Sequence, residues 1–183
     1  MSTMNAVILA VILAMVLLLV GPGVAQAPAG PPKPGPEHQK LSYFVGTWTS
    51  EADMKPSAFG PGGKFTYTQT CQWLDGNFAI LCHSDGAGQA GSVKGLSIMT
   101  WDPAGKTYTY FQTNSWGQTN FSRGTVEGDS WTWNNETTMS GKPVVTRFTL
   151  KQVSPDLAAY KFEMTSPGQP MQLMMDGKQT RVK

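Results

Sequence analysis

The chain has 183 residues, of which 40% are hydrophobic and 14% are charged, and its formal net charge is +2. This charge excludes a polybasic nucleic-acid binder, because no excess of positive charge is available to neutralise a row of phosphates. The composition excludes collagen-like, repeat-built and acidic disordered chains, and two cysteines and two histidines leave little material for zinc or iron–sulfur centres.

The N-terminal segment is typical of a secretory signal peptide, which we place at residues 1–25. Ala6–Val20 form an unbroken apolar run that is shorter than the ~20 residues of a membrane span. We expect cleavage after Ala25, because cleavage after Ala27 would leave Pro28 directly behind the cut. The prediction is export to the periplasm or the medium, with no stable membrane span after cleavage. An uncleaved membrane anchor is the alternative.

The next segment separates this leader from the folded part of the chain. Residues 26–36 are rich in Pro, Ala and Gly, which predicts an extended linker. One folded domain then spans residues 37–183. Its first apolar residues have helical spacing after a proline, and this predicts one short helix over Glu37–Phe44.

From Gly46 onward, short runs of alternating apolar and polar residues are separated by turn residues, a pattern typical of β-strands. No helical pattern interrupts the series, so an antiparallel meander is favoured over βαβ units. Closing the meander into an up-and-down barrel removes its exposed edges. The predicted fold class is therefore all-β, an antiparallel barrel of about ten strands with one short N-terminal helix. The predicted strands are Gly46–Met54, Lys64–Leu74, Asn77–Ser84, Lys94–Trp101, Lys106–Asn114, Gln118–Val126, Ser130–Glu136, Val144–Val153, Leu157–Thr165 and Met171–Arg181.

The register of one hairpin can be derived from its hydrophobic pattern. The apolar faces of its two strands must share one side of the sheet. A two-residue turn at Gly76-Asn77 satisfies this condition, and it pairs Trp73 with Ile80 and Cys71 with Cys82. In an oxidising compartment we expect the two cysteines to form a disulfide. Two separate buried thiols are the alternative.

Five short motifs occur in a particular order along the domain. They are Gly46-Thr47-Trp48 at the start of the first strand, Gly76-Asn77-Phe78, Gly95-Leu96 with Trp101-Asp102, Gly141-Lys142 with Arg147, and Met174-Met175 with Thr180-Arg181. In this order the domain resembles the bacterial domain-of-unknown-function family 1579. More broadly it resembles the calycin barrels, the superfamily of lipocalins and fatty-acid-binding proteins.

The resemblance implies a structural role for Trp48. In calycin barrels, the indole of the Gly-x-Trp motif commonly packs beneath an arginine from the last strand and seals one end of the barrel. Arg181 is the matching arginine in this sequence. A cation–π contact of this kind contributes ~0.5–2 kcal/mol, depending on how far it is desolvated.

We predict no cofactor. Nitrobindins, a calycin-like branch, bind haem through a histidine on a late strand, but this chain has only His38 and His83. Methionines near the C-terminus could bind Cu(I) through their thioethers. Core packing explains them as well, because Met171, Leu173 and Met175 alternate onto one face of the predicted strand.

An enzymatic function has little support in the sequence. Glu51 and Asp53 share one face of the first strand and could perform acid–base chemistry in a hydrolase or isomerase. A solvated strand face beside Lys55 is the simpler interpretation. We therefore regard enzymatic activity as the weaker hypothesis.

Aromatic residues support the leading functional prediction. A barrel of eight to ten strands has room for its own side chains and one small ligand. Arg123 and Arg147 could anchor an acidic headgroup inside it, although outward-facing arginines are the plainer interpretation. We predict an exported barrel that binds a small apolar or amphipathic ligand without catalysis. The alternative is a barrel with a filled core that serves as a structural or partner-interaction module. The candidate ligand-binding residues are Trp73, Trp101, Tyr110, Arg123, Trp131, Arg147 and Phe162.

Overall fold

The structure is a computed structural model that describes residues 30–58, 61–139 and 141–183. The chain divides into two units, Met1–Pro32 and Lys33–Lys183, and the elements described below belong to the second. The predicted signal peptide and the first residues of the predicted linker lie outside the described residues. In the described part of the chain, no helix is both long and apolar enough to cross a membrane.

A short helical segment precedes the strands. Helix α1 spans Pro36–Lys40, and a 3₁₀ turn follows directly over Leu41–Phe44. The proline occupies the first turn, where the backbone N–H that it lacks would have no intrahelical partner. The predicted helix is therefore confirmed, but its second half is wound more tightly than an α-helix.

Ten strands make up the rest of the described domain, and the predicted strands match them closely. They are β1 (Gly46–Met54), β2 (Gly63–Trp73), β3 (Ala79–Gly88), β4 (Gly91–Asp102), β5 (Thr107–Asn114), β6 (Thr119–Glu127), β7 (Ser130–Met139), β8 (Lys142–Ser154), β9 (Leu157–Thr165) and β10 (Gln172–Arg181). Each strand pairs antiparallel with the next, and β10 pairs with β1 to close the barrel. The predicted fold class is confirmed, and the closed sheet has no free edge.

The two ends of the barrel differ. The plugged end is the one where β1 begins and β10 ends, and the helical segment packs against it. Leu41 is fully buried there, and Phe44 contacts the ring of Trp131 with centroids 4.9 Å apart. The Tyr108 hydroxyl donates its one hydrogen to Glu37 and lies 2.9 Å from the backbone carbonyl and 2.8 Å from the carboxylate of that residue. These contacts attach the helix to the strands. The opposite end, where β1 ends and β2 begins, is called the mouth.

The hairpin between β2 and β3 has the predicted register, with Trp73 opposite Ile80. Cys71 lies opposite Cys82, and the predicted disulfide between them is present. The turn differs from the prediction, because the Asn77 N–H donates to the Leu74 carbonyl at 3.0 Å. That hydrogen bond makes Gly76, at φ 86°, the third residue of the turn, a position that requires positive φ in a type II turn.

An irregularity in β10 changes the side to which its last apolar residues point. The register of β10 against β9 shifts between Leu173 and Met175. As a result Met175 lies opposite Phe162 on the inner face, while Leu173 lies opposite Glu163 and is exposed. The prediction that these two residues share one face is wrong. A bulge adds a residue to one strand and so breaks the two-residue alternation.

The candidate ligand cavity

Inward-facing side chains are more exposed in the mouth half of the barrel than at the sealed plugged end. Residues opposite each other on paired strands share a face, so the register identifies which side chains point inward. At the plugged end inward side chains such as Trp131 and Ile80 are 2% and 0% exposed. Ala52, Val144 and Thr146 are buried although they lie nearer the mouth, but several inward side chains of that half are only half-buried. Examples are Phe65, Tyr67, Tyr110, Asn135, Phe148 and Phe162.

One side of this cavity is formed by three neighbouring rings, which we call the aromatic arc. It consists of Trp133 on β7, Phe148 on β8 and Tyr160 on β9. The centroids of Trp133 and Phe148 are 6.0 Å apart, and those of Phe148 and Tyr160 are 5.5 Å apart and stacked. Trp133 also stacks on Trp131 at 5.5 Å. The aromatic arc therefore packs on the rings of the plugged end.

Two glycines on the strands that flank the arc allow its rings to lie against the barrel wall. Gly124 lies opposite Trp133, and a Cβ atom there would be 2.6 Å from the indole Cδ1. Gly177 lies opposite Tyr160, and a Cβ atom there would be 2.8 Å from the phenol oxygen. Any larger residue would push these rings away from the wall and into the cavity. Cross-strand pairs of glycine with an aromatic residue are a known way to curve a sheet while covering the glycine.

Beside the aromatic arc, the inner face of β5 to β7 carries amide groups, which we call the amide wall. It consists of Gln112 on β5, Asn120 on β6 and Asn135 on β7. The Tyr110 hydroxyl donates to the Gln112 side-chain oxygen at 2.7 Å. The Asn135 amide donates to the Asn120 side-chain oxygen at 2.6 Å, and Asn120 in turn donates to the Ser122 hydroxyl at 3.2 Å. These hydrogen bonds hold the amides in fixed orientations.

The cavity contains no formal charge between its rim and the plugged end, as far as the described residues extend. The acidic and basic side chains of the strands alternate onto the outer face, apart from Lys142 at the rim and Arg181 at the plugged end. Burial raises the pKa of Tyr110 to about 12, and it also raises the pKa of Tyr67 and Tyr160 above that of a free phenol. These tyrosines are therefore neutral hydroxyl groups at physiological pH.

Three polar side-chain atoms in this region are buried and have no hydrogen-bond partner in the described part of the protein. They are Ser50 Oγ, Trp133 Nε1 and Tyr160 Oη. Ser50, Trp133 and Tyr160 are 3%, 6% and 4% exposed. Ser50 has a side-chain hydrogen-bond interaction with the phenols of Tyr67 and Tyr160, outside normal geometry, that lowers the pKa of each by less than burial raises it. Trp133 Nε1 and Tyr160 Oη lie against the barrel wall at Gly124 and Gly177.

The predicted aromatic residues divide between the two ends of the barrel. Tyr110 and Phe162 face the cavity. Trp131 is part of the sealed core, and Trp101 packs on Tyr108 there with centroids 4.9 Å apart. Trp73 is inward-facing but also lies at the plugged end, opposite Ile80. Two of the five predicted aromatic residues therefore lie in the accessible half.

The two predicted arginines lie on the outside of the barrel. Arg123 lies over the ring of Phe121 at 5.9 Å and is 3.9 Å from the Asp102 carboxylate. Arg147 is exposed and donates to the Asn134 side-chain oxygen at 3.2 Å. Neither guanidinium reaches the interior, because each residue neighbours an inward-facing one and the alternation of the strand turns it outward. An acidic headgroup inside the barrel would therefore not meet them.

Acid–base catalysis and haem binding lack the residues that they require in the cavity. Glu51 and Asp53 are exposed on the outer face, where Lys64 forms an ion pair with Asp53 at 2.6 Å and lowers the pKa of that carboxyl. His38 is buried at the plugged end against Phe78 with centroids 5.1 Å apart, and His83 is exposed on the outer face. A haem in the cavity would find no histidine ligand.

The polar side of the cavity was not predicted from the sequence. Gln112, Asn120 and Asn135 are not among the predicted ligand-binding residues. A signal was nevertheless present: Gln112 follows Tyr110 by two residues, and Asn135 follows Trp133 by two. A polar residue at that spacing from an inward-facing aromatic residue must share its face.

Comparisons with known proteins identify the fold and a family. Residues 33–181 match the family described as "Protein of unknown function (DUF1579)". Rv2717c from M. tuberculosis is similar with a TM-score of 0.59 and 15% identity, covering 82% of this chain and 100% of that chain. The S-type phycobiliprotein lyase CPES from Guillardia theta is similar with a TM-score of 0.56 and 11% identity, covering 80% and 93%. At these identities the likeness concerns the fold alone. No curated protein sequence matches the chain.

Proposed function

We propose that this chain, which belongs to the DUF1579 family of proteins of unknown function, binds one small amphipathic molecule inside its barrel. The observation that carries this proposal is the partial exposure of inward-facing side chains in the mouth half, beside a sealed plugged end. A cavity with a closed wall, a closed floor and one entrance can surround a small ligand on nearly all sides.

The two sides of the cavity support an amphipathic ligand over a purely apolar one. The aromatic arc offers flat apolar surface, and the amide wall offers hydrogen-bonding groups that are already oriented. An aliphatic chain would cover the amide groups without hydrogen bonding to them, and desolvating polar groups costs free energy. In this proposal the barrel binds its ligand without transforming it, since the carboxylates Glu51 and Asp53 lie outside.

We also propose that the protein acts outside the bacterial cytoplasm. The apolar leader at residues 1–25 supports export. The disulfide between Cys71 and Cys82 supports an oxidising compartment, because cytoplasmic thiols are kept reduced. A filled barrel that serves as an interaction module is the alternative, and the half-buried inward rings of Phe65, Phe148 and Phe162 argue against it.

Titration with a neutral apolar fluorophore, N-phenyl-1-naphthylamine, tests ligand binding. Fluorescence should rise and saturate at one equivalent as the dye leaves water. Val93 faces inward near the mouth, opposite Gly86, and Lys94 beside it is exposed. Val93→Trp should fill the entrance and weaken binding by about ten-fold or more, while Lys94→Trp should leave affinity unchanged. Equal effects of both substitutions, or no saturable binding to the wild-type protein, would refute the proposal.

A further inference from the structure

We propose that the outer face of β3 to β6 is an interface at which two copies of this chain associate through apolar side chains. This face is separate from the cavity, so the inference goes beyond the proposed function. It depends on three observations: a contiguous row of outward apolar residues, the small number of charges around it, and its extent compared with the interface of a dimer.

A row of apolar side chains crosses the outside of these strands. Leu81 on β3 lies opposite Ile98 on β4. Ile98 in turn lies opposite Phe111 on β5, and Phe111 lies opposite Phe121 on β6. Each of them neighbours an inward-facing residue along its strand and therefore points away from the cavity. Leu96 precedes Ile98 by two residues and shares its side of β4. We call these five residues the apolar face.

The apolar face is exposed where a solvated sheet normally carries polar side chains. Phe111 and Phe121 are 41% and 50% exposed, so the described part of the chain leaves both rings largely uncovered. Strand β4 is apolar on both sides, because Met99 faces inward between the outward-facing Leu96 and Ile98 and a polar outer row is missing there. Strands with apolar residues on both sides are typical of sheets that are covered on both faces. Contiguous exposed apolar surface of this kind marks an interaction site.

Few charges border the apolar face. His83 flanks Leu96, and Arg123 lies over the ring of Phe121 and 3.9 Å from the Asp102 carboxylate. The outer side of β8 to β10 is different, because charged side chains recur along it, among them Arg147, Lys161, Glu163 and Lys178. The centres of protein interfaces are enriched in aromatic residues and arginine and depleted of Lys, Glu and Asp. The apolar face has this composition, and the charged side of the barrel does not.

These features favour a second copy of the chain over a lipid surface as the partner. Anionic membranes attract clusters of basic residues, whereas the one guanidinium beside the apolar face is paired with Asp102. The same pair keeps the face electrically neutral, so two copies can approach each other without repulsion between like charges. Because the closed barrel has no free edge, copies cannot associate by strand pairing and must meet face to face.

The apolar face is large enough for the centre of a small dimer interface. At roughly 200 Å² for a whole ring, the exposed parts of the two phenylalanines contribute roughly 180 Å². With the aliphatic residues, Arg123 and the flanking threonines, each copy offers roughly 600 Å², the lower end of the sizes that specific interfaces use. The rings occupy one end of the row, and Leu81 and Ile98 occupy the other. A two-fold axis through the middle of the row places the rings of each copy on the aliphatic side chains of the other.

Sedimentation velocity of the protein purified from its own host tests the interface. The measurement covers roughly 1–100 µM, because an interface of this size is expected to be of modest affinity. The sedimentation coefficient should rise with concentration from that of a monomer to that of a dimer. The dimer should persist in about 1 M NaCl, where charges are screened beyond about 3 Å but apolar contacts are not weakened.

Single substitutions then locate the contact on the barrel. Phe121→Asp should weaken self-association by about 30-fold or more, because each copy would place a carboxylate in an apolar contact. Phe111→Asp should have the same effect and provides an independent variant. The matched control is Leu173→Asp, since Leu173 is also outward-facing and 42% exposed but lies on β10. This control should leave the dimer intact. Near-UV circular dichroism verifies that each variant is folded.

Several results would overturn the inference. A wild-type protein that stays monomeric over the whole concentration range has no such interface. A dimer that Leu173→Asp disrupts as strongly as Phe121→Asp, or that dissociates in concentrated salt, is held together elsewhere or by charge. If monomeric protein instead co-sediments with phosphatidylcholine vesicles and Phe121→Asp abolishes this, the apolar face binds lipid and the dimer is wrong. The dye titration of the cavity is independent of all these results.

Discussion

The side chain of Arg181 connects several parts of the chain at the plugged end. Its guanidinium carbon lies 4.3 Å from the centroid of the Trp48 ring, the contact that the sequence resemblance implies. The same guanidinium donates to the carbonyls of Tyr43 and Val45 and lies 3.3 Å from the Asp156 carboxylate. Because its side chain is only 25% exposed, these contacts are partly shielded from water and are stronger than surface contacts.

Arg181→Met should therefore lower the free energy of unfolding by about 2–3 kcal/mol, through loss of the cation–π contact and of the hydrogen bonds to backbone carbonyls. Arg181→Lys should have an intermediate effect, because an ammonium retains the charge without the planar fork. Urea unfolding measures the difference. Lys178→Met on the same strand, where the side chain is exposed, is the control and should be nearly neutral. An Arg181→Met protein as stable as wild type would contradict the sealing role of this residue.

The hairpin of β2 and β3 depends on two features of the sequence, the alternation of apolar residues and the residues of the turn. The apolar alternation determines which residues face each other, and this register was predicted correctly. The local turn chemistry was predicted incorrectly, because Gly76 and Asn77 both adopt positive φ within a longer turn. The bulge in β10 is a comparable case, since no residue pattern near Leu173 announces the extra residue. Local irregularities depend on how neighbouring strands fit together, and the sequence of one strand does not contain that information.

The disulfide is expected to stabilise the hairpin without determining its register. Replacing both Cys71 and Cys82 with Ser should cost about 2–3 kcal/mol, the range for a short closed loop. The strands should still pair in the same way, because the apolar alternation remains. Calorimetry measures the loss of stability, and non-reducing mass spectrometry of the wild-type protein tests the bond itself. Free thiols in the protein purified from its own host would contradict the bridge.

For the whole molecule, the sequence predicts the architecture well and the cavity poorly. Ten alternating segments without a competing helical pattern lead to a closed meander, and every predicted strand is found. The cavity depends instead on which side chains are too small or too polar to fill the interior. Ser50, Gly124 and Gly177 acquire their roles only from partners on other strands, so they carry no signal of function along the chain. The fold can therefore be predicted from the alternation of apolar and polar residues, whereas locating the site requires the register between neighbouring strands.

Export is the prediction that concerns the chain as a whole. Protein collected outside the cytoplasm should begin at Gln26, because the small residues before it fit the signal peptidase and Pro28 disfavours the next site. N-terminal sequencing gives the answer directly. A first residue of Met1 in membrane-bound protein would support the anchor alternative instead.

The paths by which the chain enters and leaves the barrel have a practical consequence. Helix α1 leads into β1 at the plugged end, and β10 finishes beside it at Arg181, so both connections lie opposite the mouth. A surface or fluorescent partner attached through the C-terminal residues would therefore leave the entrance unobstructed. The protein could be immobilised in a dense, uniformly oriented layer for ligand capture, which a barrel with a terminus at its entrance would not allow.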